Sequence, residues 1–65
     1  MTIYKQGSSG PGVIALQKAL IAKGYDLGAA DGIFGAKTVA AVRTFQTAAG
    51  LTVDGAVGPV TAAAL

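Results

Sequence analysis

The 65-residue chain has no cysteine, no histidine, no glutamate and no tryptophan. Each absence closes a class of explanation. Very small domains are usually stapled by disulfides or metals, and without cysteine and histidine both routes are nearly closed. A chain this short buries only about 60% of the surface it exposes when unfolded, so it must fold on packing alone. The same absences remove the usual bases and nucleophiles of an active site. The acidic side chains are Asp26, Asp31 and Asp54. Two of them precede glycine, where aspartate is first of all a turn residue. A glycosidase pair would need two carboxyls opposed across a cleft, which so small a chain hardly offers. Ser8 and Ser9 lie in a glycine-rich lead with no base beside them. Catalysis by this chain alone is not expected.

Charge and aromatic content are also low. The net charge is +2, with two Phe and two Tyr. That is far from the clustered basic face of a nucleic-acid binder, and it leaves little surface for stacking bases. No segment approaches the apolar length of a membrane span. The opening "MTIYKQGSSG" is not a secretory signal, because its lysine is followed by polar and glycine residues. Synthesis in the cytoplasm is therefore expected. "DLGAADGIFG" has two Asp five apart, but it lacks the alternating acids and terminal glutamate of a calcium loop. Lys37-Thr38 follows Gly35-Ala36, so the Gly-Lys-Ser/Thr of a phosphate loop is absent. No metal and no cofactor are expected.

What the chain does have is repetition. "DGIFGAKTVAAV" runs from Asp31 to Val42 and "DGAVGPVTAAAL" from Asp54 to Leu65, 23 residues apart. Three helix starts can be read at Gly10, Gly35 and Gly58. Proline suits the first helical position, where its missing N–H has no partner in any case, and glycine is an acceptable N-cap. The spacing predicts helices over 11–23, 36–49 and 59–65. Gly24 and Gly50 fall just past the two long ones, where a left-handed residue is wanted. The residue after such a glycine packs back on the last turn. That pairs Tyr25 with Leu20, and Leu51 with Phe45 or Gln46. The only strand-like stretch is Thr2 to Lys5, which is too short to predict a strand.

At 100° per residue, Val13, Ile14, Leu16, Leu20 and Ile21 share one apolar arc of the first helix. Thr38, Ala41, Val42, Phe45 and Ala49 share the arc of the second, with Val39 at its edge. Each arc holds one polar intruder, Gln17 or Gln46. A buried amide without partners is costly. Each glutamine therefore either pins loop backbone or is held ready for a ligand. Both linkers carry an Asp-Gly turn and then one apolar hook, Phe34 or Val57. The repeated phrase reads as a turn, an anchor and a helix start. The expected fold is all-α: three compact helices joined by long Asp-Gly loops and built on an internal repeat. Residues 1–6 form a lead and 7–65 the domain.

"GPGVIALQKALIAKGY", "DGIFGAKTVAAVRTFQTAAGL" and "DGAVGPVTAAAL" together resemble the peptidoglycan-binding domain-like modules of bacterial and phage cell-wall hydrolases. The resemblance covers nearly the whole chain, from about residue 7 to Leu65. It implies a three-helix, non-catalytic module that holds an attached lytic domain on the cell wall. The same fold occurs in metalloprotease pro-segments that inhibit through a cysteine, which this chain lacks. With Met1 as a start and no signal peptide, the resemblance points to the N-terminal part of a phage endolysin. Such an enzyme is made in the cytoplasm and acts at the wall after release, and here its lytic domain would follow Leu65.

The partner implied is peptidoglycan, through its glycan strand or its stem peptide, bound by a monomer in a shallow groove. Tyr25, Asp31, Phe34, Lys37 and Arg43 are the candidate ligand-binding residues. Three of them have a plainer reading. Asp31 is a turn residue, Phe34 a core residue, and Lys18 and Arg43 are solvated charges on outer helix faces. The competing function is a structural or assembly domain that makes protein–protein contacts.

Overall fold

Proline and glycine punctuate the chain as their backbone preferences demand. The computed structural model describes residues 3–65. It contains α1 (Pro11–Ala22), α2 (Ala36–Ala49) and α3 (Pro59–Ala64), so the expected bounds hold to within one residue. Pro11 and Pro59 open α1 and α3. Gly10, Gly35 and Gly58 are the N-caps, none with a side-chain hydrogen bond. At the end of α2, Gly50 is left-handed with φ 73°, and the Leu51 N–H donates to the Gln46 carbonyl at 2.9 Å. Gly24, with φ 94°, does the same for α1, and the Tyr25 N–H donates to the Leu20 carbonyl at 3.1 Å. These bonds satisfy carbonyls that a helix end otherwise leaves open. The Tyr25 ring then meets Phe45 edge to face, with centroids 6.0 Å apart.

The core draws on every element except α3. Val13, Leu16 and Leu20 come from α1, Ala41, Val42 and Phe45 from α2, and Leu27, Phe34 and Val57 from the linkers. Both hooks are inside, Phe34 at 1% and Val57 at 2% exposure. The arcs are narrower than the periodicity suggests. Ile21 is 42% exposed, and Ala49 is also exposed. Leu20 fills the core at that turn and Tyr25 folds back beside it, which leaves Ile21 outside. Burying a side chain the size of Leu20 contributes about 2 kcal/mol, and the nine core residues, which range in size from Ala41 to Phe34, hold the fold without a covalent staple.

The N-terminal lead is woven into this core. Of the stretch Thr2 to Lys5, Thr2 lies outside the described residues, as does Met1. Tyr4 forms an isolated antiparallel bridge with Val57, and Ser9 forms one with Ile33. The Tyr4 N–H donates to the Val57 carbonyl at 3.0 Å, and the Val57 N–H returns a bond at 2.7 Å. Farther along, the Gly7 N–H donates to the Phe34 carbonyl at 3.0 Å, and the Phe34 N–H donates to the Ser8 carbonyl at 2.9 Å. The lead at Tyr4, and Gly7 and Ser8 just after it, thus pair with the backbone of both hooks. Among the described residues, no helix is long and apolar enough to cross a membrane.

Tyr4 is half-buried against the core, and its ring lies over Gly12, so that a Cβ at Gly12 would overlap the ring and hydroxyl. Gly12→Ala is therefore expected to destabilise the domain by about 1–3 kcal/mol in denaturant melts, the cost of overpacking. In a Tyr4→Ala background the same change is expected to be neutral or stabilising, because alanine is the better helix former by about 1 kcal/mol. Equal losses in both backgrounds would refute the packing account.

Candidate functional site

The site is built on two buried amides. Gln17 is 1% and Gln46 0% exposed. The Gln17 Nε2 donates to Asp31 Oδ1 at 3.1 Å, to the Ile33 carbonyl at 2.9 Å and to Thr38 Oγ1 at 3.1 Å. Its Oε1 accepts the Gly32 N–H at 2.8 Å. The Gln46 Nε2 repeats the set on Asp54 Oδ1, the Ala56 carbonyl and Thr61 Oγ1, at 2.8, 2.9 and 3.1 Å. Its Oε1 accepts the Asp54 and Gly55 N–H groups. Two hydrogens serve three acceptors in each case, so one is shared. Among the described residues no buried side-chain polar atom lacks a partner. Both glutamines therefore pin loop backbone, and neither is held in reserve for a ligand.

Each clamp also fixes an aspartate. Asp31 Oδ1 accepts the Ile33 N–H at 2.9 Å, and Asp54 Oδ1 accepts the Ala56 N–H at 3.0 Å. These backbone bonds first, and the glutamine amides second, hold both carboxyls below the ordinary aspartate range. Donors aimed at a carboxylate favour its charged form. The turn that follows needs glycine. Gly32 has φ 78°, and a Cβ there would come 3.0 Å from Ile14 Cγ1.

In front of each clamp lies a shallow groove. The first, of about 230 Å³, is walled by Leu27, Asp31, Ile33, Lys37 and Thr38. The second, of about 370 Å³, is walled by Ile3, Leu51, Asp54, Ala56, Val60 and Thr61. Asp31, Ile33, Lys37 and Thr38 of one correspond to Asp54, Ala56, Val60 and Thr61 of the other at the 23-residue repeat. A third groove of about 370 Å³ lies between Tyr4, α1 and Leu65.

The five sequence candidates do not form one surface. Asp31 and Lys37 share the first groove. Phe34 must be withdrawn as a ligand contact: its side chain is the largest fully buried one, and a ligand cannot reach it. Tyr25 is half-buried at Phe45, on a separate patch where the Lys23 ammonium sits 5.8 Å from the Phe45 ring centre. Arg43 is exposed on α2, and its stem runs past Gly55, Cγ lying 3.5 Å from where a Cβ would stand. Sequence reasoning missed Leu27, which is buried and walls the first groove. It also missed the roles of the Thr38 and Thr61 hydroxyls. Their signal was present, because threonine recurs at the same place in both copies of the phrase. Among the described residues, no three or more carboxylate, histidine or cysteine side chains gather as metal ligands would.

Comparison with known proteins gives concordant results. The peptidoglycan binding domain family matches residues 9–65. An N-acetylmuramoyl-L-alanine amidase, CwlL of Bacillus licheniformis, is 52% identical over 66 residues, which is 98% of this chain and 18% of the amidase. The chain thus spans less than a fifth of that relative's length. The crystal structure of the SleB N-terminal domain superposes with a TM-score of 0.94 at 41% identity, over 97% of this chain and 86% of that one. A Burkholderia AP3 phage endolysin gives a TM-score of 0.87 at 42% identity, over 92% of this chain and 23% of the endolysin.

Gln46→Ala strips the second loop of its amide partners, and it is expected to cost at least about 2 kcal/mol in denaturant melts, because buried N–H and C=O groups are left open. A loss within error of zero would mean that water replaces the amide without penalty. The aspartates predict an acid limb. Their folded pKa values lie below the unfolded value, so their stabilisation is complete above the latter and is lost as pH falls through the former. The melting temperature should accordingly carry their full contribution, and show no pH dependence from them, between neutrality and about pH 5, then drop below about pH 4. The Asp31→Asn, Asp54→Asn double variant should drop less over that acid range, as followed by circular dichroism.

Proposed function

The chain belongs to the peptidoglycan binding domain family, and on that premise we propose that it is a non-catalytic module that holds an attached lytic domain on the cell wall. The match across residues 9–65 carries this reading. The architecture supports it: two exposed grooves stand on loops that buried amides hold rigid, and the groove walls offer one lysine and two aspartates rather than a nucleophile and base. Grooves this shallow bind weakly. Their use lies in tethering, which turns the second encounter of a linked enzyme with its polymer into an intramolecular one and raises its effective concentration.

The finer assignment is to a phage endolysin, made in the cytoplasm and acting at the wall after release. Likeness to an endolysin over nearly the whole chain supports it. A monomer with a lytic partner domain following Leu65 completes the proposal.

Purified sacculi test the reading. The folded domain is expected to pellet with them at low ionic strength and to be released as salt rises, since exposed charges are screened. A domain that remains in the supernatant at low salt would refute wall binding and favour an assembly role in protein–protein contacts.

A further inference from the structure

We infer that the groove between Asp31 and Lys37 reads the peptide of the cell wall rather than its glycan, through a residue that carries both an ammonium and a carboxylate. This rests on the wall-binding reading above and narrows it to one part of the polymer.

The first observation is that two opposite charges wall one groove without neutralising each other. The Asp31 carboxylate is fixed by the Ile33 N–H at 2.9 Å and the Gln17 amide at 3.1 Å, and no lysine is among the groups that lower its pKa. Both of those bonds fall on Oδ1, so the carboxylate is held in one orientation with Oδ2 left by both. Lys37 stands on the first turn of α2, and its stem passes Gly28, Cδ lying 3.9 Å from where a Cβ would be. A groove that presents a fixed carboxylate and an ammonium complements a ligand with the same two charges reversed. Leu27 and Ile33 supply apolar wall for the methylenes between them. An uncrosslinked diamino acid in a stem peptide has this pattern, and its amine loses the charge once a crosslink acylates it.

The second observation concerns aromatic side chains. A sugar ring offers a binding site hydroxyls and a flat C–H face, and that face is held best by an exposed aromatic ring. None is available in this groove. Phe34 and Phe45 are buried, Tyr25 packs against Phe45, and Tyr4 covers Gly12; none lines the groove.

The third observation is an internal control. The repeat builds a second groove on the same plan, with Asp54 clamped as Asp31 is. It has Val60 in place of Lys37 and Ala56 in place of Ile33. The second groove keeps the clamped carboxylate but has no cation among the described residues that wall it, so a doubly charged ligand should choose the first and leave the second empty.

The test titrates the isotope-labelled domain at low salt with three soluble probes, alongside a sacculus pulldown. The probes are a short stem peptide ending in a diamino acid with free amine and carboxylate, the same peptide with that amine acetylated, and peptide-free glycan oligosaccharide. The free peptide is expected to shift the amide signals of Asp31–Thr38 and not those of Asp54–Thr61. Acetylation and Lys37→Gln should each weaken it by about fivefold, the upper range for an exposed charge pair. Lys18→Gln, on the exposed outer face of α1, should leave affinity unchanged, and Lys37→Arg should largely restore it. If sacculi bind but acetylation has no effect, or the glycan moves the same signals, or all three probes are silent, the peptide assignment is overturned and wall binding stands. If sacculi do not bind either, the underlying reading fails with it.

Discussion

A buried primary amide must find partners for its oxygen and its two hydrogens, and in this domain meeting that demand organises both loops. A glutamine placed in an apolar helical arc is unfavourable until its oxygen and both its hydrogens find partners. Gln17 and Gln46 find them in the turn that follows, taking backbone N–H groups on one side and a carbonyl, an aspartate and a threonine on the other. The network closes on itself, the condition under which buried polarity rigidifies a fold instead of weakening it. The clamps do for the loops what a disulfide does in other small domains, but through hydrogen bonds that need no oxidising surroundings.

The clamps act at different ranges. Gln17 reaches forward 14 residues to Asp31, whereas Gln46 reaches forward 8 to Asp54. The longer first linker carries Leu27 into the core. The shorter second linker has no such insertion, and the apolar wall of its groove includes Ile3 of the lead instead. One phrase, used twice, yields two grooves that share a frame and differ in chemistry.

Much of this was legible beforehand because the signals were local. Pro11, Pro59, Gly24 and Gly50 mark helix ends by their own backbone restrictions. Phe34 and Val57 declare themselves as anchors by being the large apolar residues that stand immediately before a helix-opening glycine. The glutamines betray themselves as polar residues on apolar faces. What stayed hidden depends on distant parts of the chain. The burial of Leu27 is decided by how the longer linker crosses the core, and the place of Tyr4 by a pairing with Val57 far along the sequence. The candidate site was half legible. Asp31 and Lys37 share one groove because both flank one turn, but Tyr25 is folded back onto Phe45 after the end of α1, and Arg43 is carried to another surface by α2. Phe34 cannot serve both core and ligand, and the core takes it.

The strap formed by the lead has a mechanical consequence. The bonds of Tyr4 to Val57 and of Gly7 and Ser8 to Phe34 lie one after another along the chain, so tension applied from the N-terminal side loads the Tyr4–Val57 pair before the rest. Peeled in that order, the second hook would lose its backbone partner while the first was still held. A tug from the opposite terminus enters through the α3 side and meets Thr61 and the Gln46 amide instead. The direction of pull thus selects which half of the molecule yields.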